Sequence, residues 1–108
     1  MGHLGNAGIG WLRVMTALGL CGSPAAAADA AHGGDLAKRW CATCHLVDGQ
    51  QKQANADVPS FTMIAAKTDF SPEKVAYFLL DPHPKMPNFP LSRTEASDLA
   101  AYIGSLRN

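Results

Sequence analysis

Apolar residues recur at helical spacing in three stretches of the chain. Leu36 and Trp40 are spaced i, i+4, which predicts a helix from about Gly34 to Cys44. Asp35 would fall in its first turn, where a negative charge favours the helix dipole. Val75, Phe78 and Leu79 make an i, i+3, i+4 face in a second segment. Ser71 suits the N-cap there, Pro72 the first helical position and Glu73 the dipole. Asp81-Pro82 ends this helix, since the residue before proline avoids helical angles. In the third stretch Ser92-Arg93-Thr94-Glu95 forms a capping box. Ala96, Leu99, Ala100 and Ile103 then line one face, with Tyr102 and Leu106 beside it. A short helical piece over Phe61 to Lys67 would be a fourth element. Residues 48–57 are polar and aperiodic, and read as a surface loop. With no β-branched run suited to a strand, the expected class is all-α, with three to four helices.

The N-terminal stretch has a different character. Arg13 precedes the apolar run Val14-Met15-Thr16-Ala17-Leu18-Gly19-Leu20-Cys21, which Gly22-Ser23-Pro24 breaks. Ala26-Ala27-Ala28 supplies an A-x-A cleavage pattern, so residues 1–28 read as a signal peptide and 29–108 as the exported domain. A second A-x-A, Ala28-Asp29-Ala30, leaves the cleavage point open by two residues. No apolar run reaches the ~20 residues of a membrane span. In a compartment outside the cytoplasm, the periplasm is the expected location.

Cleavage changes the composition. The full chain has 108 residues, three cysteines and nine cations against nine anions. Without residues 1–28, 80 remain, Cys21 and Arg13 are gone, and eight cations face nine anions. A balance of −1 gives no reason to expect a nucleic-acid partner, which would favour a basic face. A domain this small is marginal on apolar burial alone and usually needs a disulfide, a metal or another staple.

Cys41-Ala42-Thr43-Cys44-His45 supplies one. It is a C-x-x-C-H run, the pattern of c-type haem attachment. Two thiols three residues apart on a helical turn lie on one side of the backbone. Each can add to one vinyl group of the same porphyrin, and the adjacent His45 can reach the iron. A redox disulfide would sit in a βαβ setting, which the chain lacks. A structural zinc site would normally draw on a second cysteine or histidine pair, also absent.

A second axial ligand must come from elsewhere. Met86 lies among Pro82, Pro84, Pro87 and Pro90, in a segment too rich in proline for a helix or a central strand. Such a stiff loop loses little entropy when positioned, and a thioether ligand raises the reduction potential. Met63 sits in an apolar helical stretch and reads as core filler. His83 is the alternative distal ligand, although a solvent-facing loop residue is the plainer reading. His32, near the new N-terminus, has no expected role. Trp40 is expected in the core.

At these residues the chain resembles the small bacterial class I cytochromes c. The resemblance covers roughly residues 33–106 and rests on three motifs. They are Trp40 to His45, Met86 to Ser92, and Glu95-Ala96-x-Asp98-Leu99-x-x-Tyr102-Ile103. It implies a small cytochrome c-like fold wrapped around one covalently attached haem c. It also implies cofactor binding through Cys41, Cys44, His45 and Met86, with His45 proximal and Met86 distal on the iron. A proline carbonyl supports the proximal histidine in that family, and Pro59 is the best match, in Val-Pro rather than the usual Gly-Pro. Contact between the first and last helices would involve Gly33, Ala37, Leu99 and Tyr102.

Two axial protein ligands leave no open position on iron, so the expected function is one-electron exchange rather than enzymatic turnover. The expected protein is a monomeric periplasmic carrier, meeting an oxidase, reductase or dehydrogenase through a weak interface. Lys38, Lys52, Lys67, Lys74 and Lys85 could contribute to it, although they are equally a solvated surface. The rival readings are a haem enzyme or gas sensor in which Met86 leaves the iron, and a dedicated subunit of a larger oxidoreductase.

Overall fold

The computed structural model describes residues 27–82 and 85–108, together with Gly2, His3, Gly5, Gly10 and Gly19. Four helices follow one another: α1 Ala30–Trp40, α2 Phe61–Ala65, α3 Pro72–Leu80 and α4 Arg93–Ser105. No strand occurs among the described residues, so the class is all-α as expected. The apolar segment of the expected signal peptide apart from Gly19, its Cys21, and His83 lie outside the described residues.

The helix ends follow from their caps. Ser71 and Ser92 each accept a hydrogen bond from the third backbone N–H of their helix, from Lys74 and Glu95 respectively. Glu95 returns the bond to the Ser92 N–H at 2.7 Å, completing the predicted capping box. Helix α1 departs from expectation at both ends. It begins at Ala30 rather than Gly34, because Asp29 caps it by accepting from the His32 N–H at 3.0 Å. Asp35 therefore stands beyond the first turn. The helix ends at Trp40, and Cys41 is its C-cap. The attachment motif thus occupies the turn after the helix, where the Cys44 and His45 N–H groups both bond to the Cys41 carbonyl.

Helix α4 is the central element. Leu99, Ile103, Ala96 and Ala100 are buried on its inner face, as the periodicity requires. Helices α1, α2 and α3 all pack on it. The crossing with α1 is tight enough to exclude side chains. A Cβ on Gly33 would collide with the Asp98 carbonyl, and one on Gly34 would lie 3.1 Å from the Tyr102 ring. Ala37 is fully buried beside them, so all four residues expected at this contact are there or against it. The core joins these helices to Cys41, Val47, Phe61 and Leu79.

Two aromatic or thioether expectations fail. Trp40 is about a third exposed, at the last turn of α1, and tilts against Phe89 with ring centroids 5.7 Å apart. Met63 is 64% exposed rather than core filler, since a five-residue helix buries only Phe61 and Ala65.

Candidate haem site

The turn carrying Cys41, Cys44 and His45 is held by a side chain that periodicity could not reveal. Gln51 folds back from the polar loop beneath it. Its Nε2 lies 2.7 Å from the Ala42 carbonyl, 2.8 Å from that of His45 and 2.9 Å from that of Gln53. Two amide hydrogens serve these three acceptors. Its Oε1 accepts from the N–H of buried Val47 at 3.1 Å, and Asp48 Oδ1 accepts from the N–H groups of Gln50 and Gln51. The loop that reads as a plain surface stretch therefore supports the motif. No short-range pattern announces this, because the bonds span two to nine residues. Gln51→Leu should destabilise the folded protein by about 1–3 kcal/mol, as it leaves the Val47 N–H buried and unpaired. Urea unfolding followed by circular dichroism measures this, and an unchanged midpoint would refute the anchoring role.

His45 is oriented from the opposite side. Its Nδ1 lies 2.7 Å from the Pro59 carbonyl oxygen. A carbonyl only accepts, so Nδ1 carries the proton and Nε2 keeps its lone pair for a metal. The Pro59 support implied by the resemblance is present, despite the Val-Pro in place of Gly-Pro. Phe61 packs against the imidazole at a centroid distance of 5.3 Å, and Tyr102 meets Phe61 edge-on at 6.4 Å. The Tyr102 hydroxyl donates to the Val47 carbonyl at 2.6 Å, and burial raises its phenol pKa. Helix α4 is thereby tied to the segment that leaves the motif.

The two thiols are not equivalent. Cys41 is buried within the core and Cys44 is exposed, and both are free. Burial, with a smaller effect from Cys44, pushes the Cys41 thiol up to about 11. A redox dithiol needs a lowered pKa, so this environment does not suit that chemistry. Among the described residues no three His, Cys, Asp or Glu side chains converge as a metal cluster, so the zinc alternative lacks its ligands there. Met86 is partly buried and packs against the core that contains Cys41.

The donor set fits haem c. Two free thiols and an imidazole with a free Nε2 occur in one turn. Exposed apolar side chains stand close to the motif in sequence, Trp40 just before it and Leu46 just after His45.

Comparison with known proteins agrees. The family model described as cytochrome c oxidase, cbb3-type, subunit III matches residues 28–103. Cytochrome c-552 of Bradyrhizobium diazoefficiens (strain USDA 110) is 72% identical over 85 residues, covering 79% of this chain and 82% of the relative. No solved structure matches. No described helix is long and apolar enough to cross a membrane. The matched region runs from just before the α1 cap to Ile103 and takes in the motif turn, its Gln51 and Pro59 supports and the Met86 loop; over that span the chain belongs to the cytochrome c family, as an electron-carrying c-type cytochrome with covalently bound haem c.

Proposed function

We propose that residues 29–108 form a periplasmic one-electron carrier, exported by the signal peptide 1–28, with haem held through Cys41 and Cys44 and ligated by His45 and Met86. When bound, haem supplies a one-electron couple between ferric and ferrous iron. The observation that carries the reading is the hydrogen bond from His45 Nδ1 to the Pro59 carbonyl, which leaves Nε2 as the coordinating atom. This bond fixes the ring orientation and raises the basicity of the imidazole. Met86 adds a soft thioether from a proline-constrained loop, and thioether ligation raises the potential. Cys41, buried in the core, anchors one side of the cofactor, and exposed Cys44 the other. With His45 and Met86 both holding the iron, substrate would have no place on it, and the role would be transfer rather than turnover.

The test is spectroscopic. The ferric protein should show the far-red sulfur-to-iron absorption band, and Met86→Ala should lose it and bind carbon monoxide readily once reduced. A wild type that lacks the band and takes up carbon monoxide at once would overturn the carrier reading in favour of a haem enzyme or sensor.

The family match supports a second reading, a small subunit of a larger oxidoreductase, since the matching model describes an oxidase subunit. Stoichiometric co-purification with an enzyme under mild detergent would favour it; recovery as a free monomer would favour the shuttle.

A further inference from the structure

Asp98 is the one buried charged side chain among the described residues. It contacts the start of α1, the end opposite the one that leads into the haem motif. Its Oδ2 lies 2.8 Å from His32 Nδ1, and its Oδ1 accepts from the backbone N–H of Asp29 at 2.7 Å. A buried carboxylate is stable only when well paired. Here one partner is a neutral amide and the other an imidazole whose side chain is 47% exposed.

The amide nitrogen is that of the residue after Ala26-Ala27-Ala28. We propose that hydrolysis of the Ala28–Asp29 bond places the new α-ammonium of Asp29 directly on Asp98, completing an ion pair that closes α1 against α4. The inference rests on the reading of residues 1–28 as a cleaved leader. A signal peptidase adds water across the peptide bond. Ala28 leaves as a carboxylate on the leader, and Asp29 keeps the nitrogen as an amine that takes up a proton.

The local structure is already built for this terminus. Ala27, Ala28 and Asp29 are exposed, and with Arg93, Thr94 and Ser97 the two alanines line a shallow cavity beside Asp98. The α1 cap does not need residues before 29. The Asp29 side chain accepts from the His32 N–H, and its carbonyl accepts from the Gly33 N–H at 2.9 Å. Cleavage two residues later, after Ala30, would remove that cap, that carbonyl and the Asp98 bond together. The fold therefore accommodates a terminus made at the first A-x-A and loses these bonds with one made at the second.

The charged groups on this side of the crossing are His32 and the Asp29 carboxylate on α1, and Arg93, Glu95 and Asp98 on α4. The three carboxylates favour an ammonium and the two basic groups oppose it, so the direct bond to Asp98 is the favourable contact that matters. The hydrogen bond with Asp98 raises the pKa of His32, aided by the charges of Asp98, Asp29 and Glu95. The pKa of Asp98 is lowered by His32 first and by the Asp29 N–H second. An α-ammonium held by the same carboxylate also has a raised pKa. Its stabilisation is then complete below the unfolded value of ~7.7–8.0 and is lost as pH rises through the folded one.

The test compares two secreted holoproteins. One carries the native leader; the other carries two glycines inserted between Ala28 and Asp29, which keeps the Asp29 nitrogen an amide. Intact mass of the first should place Asp29 at the N-terminus. At pH 7 the native form should have the higher urea midpoint, and the two midpoints should converge by pH 10. Lysine and tyrosine titration is common to both forms and cancels in the difference. Asp98→Asn should abolish the difference at pH 7. Should that variant fail to fold, the convergence with pH still decides the question. A mass that starts elsewhere would overturn the cleavage reading itself. A mass starting at Asp29, with coincident midpoints at every pH, would overturn the ion pair while leaving the leader intact.

Discussion

The double substitution Cys41→Ser, Cys44→Ser is expected to give a chain with no covalently held haem and little helical structure. The core of the described chain contains 11 hydrophobic residues, of which three are alanines on α1, α2 and α4 and one further is Ala100. Helices α2 and α3 have only five and nine residues, below the length at which isolated helices persist in water. Helix α3 fully buries just Leu79, while Tyr77, Phe78 and Leu80 stay exposed. A core this small is marginal on apolar burial alone. The serine at position 41 would also put a hydroxyl where a buried thiol now packs. Loss of haem staining on a denaturing gel, with collapse of the helical signal in far-UV circular dichroism, is the expected result. A well-folded apoprotein would contradict it, and would mean that the α1–α4 contact sustains the fold by itself.

The second large effect is expected at Gly33. An added Cβ would strike the Asp98 carbonyl and come within 2.9 Å of the Leu99 nitrogen. These are backbone atoms, and no rotamer change moves them aside. Gly33→Ala must therefore push α1 off α4, which breaks the Asp29 and His32 bonds to Asp98 and disturbs the Tyr102 neighbourhood. Overpacking costs about 1–3 kcal/mol and occasionally more, and a backbone collision puts Gly33→Ala at about 3 kcal/mol, the upper end. In a domain this size each kcal/mol shifts the melting temperature by about 4–8 °C. A fall of at least about 12 °C in the holoprotein is expected. Gly34→Ala is the control. Its Cβ would meet only the Tyr102 ring at 3.1 Å, a side chain that can shift, and alanine gains up to about 1 kcal/mol in helix propensity. It should be close to neutral. Equal losses at the two positions would show that the tight crossing does not control stability.

Much of this protein is written locally. Ser71-Pro72 and Ser92 to Glu95 place two helix starts correctly because capping depends on residues three apart. The start of α1 is mistaken because its cap, Asp29, lies next to the expected cleavage point and its first residues look like a signal end. His32 and Asp98 show the same limit. Their pairing spans 66 residues, and nothing near either marks it. Gln51 is closer to its partners but sits in an aperiodic loop, where its four-way bonding has no periodic trace.

The sequence by itself determined the cofactor class: Cys41, Cys44 and His45 have the spacing of c-type haem attachment, a pattern that needs only neighbouring residues on one turn. It also determined the helical class, since apolar periodicity is a local property. The tertiary structure decided which atom of His45 stays available, which loop residue supports the turn and what faces the Asp29 nitrogen. Each of those answers depends on side-chain hydrogen bonds with no periodic trace, whether across six residues for Gln51, 14 for His45 or 69 for Asp29. The last has no signature until α1 and α4 have crossed, with Gly33 allowing their backbones to touch.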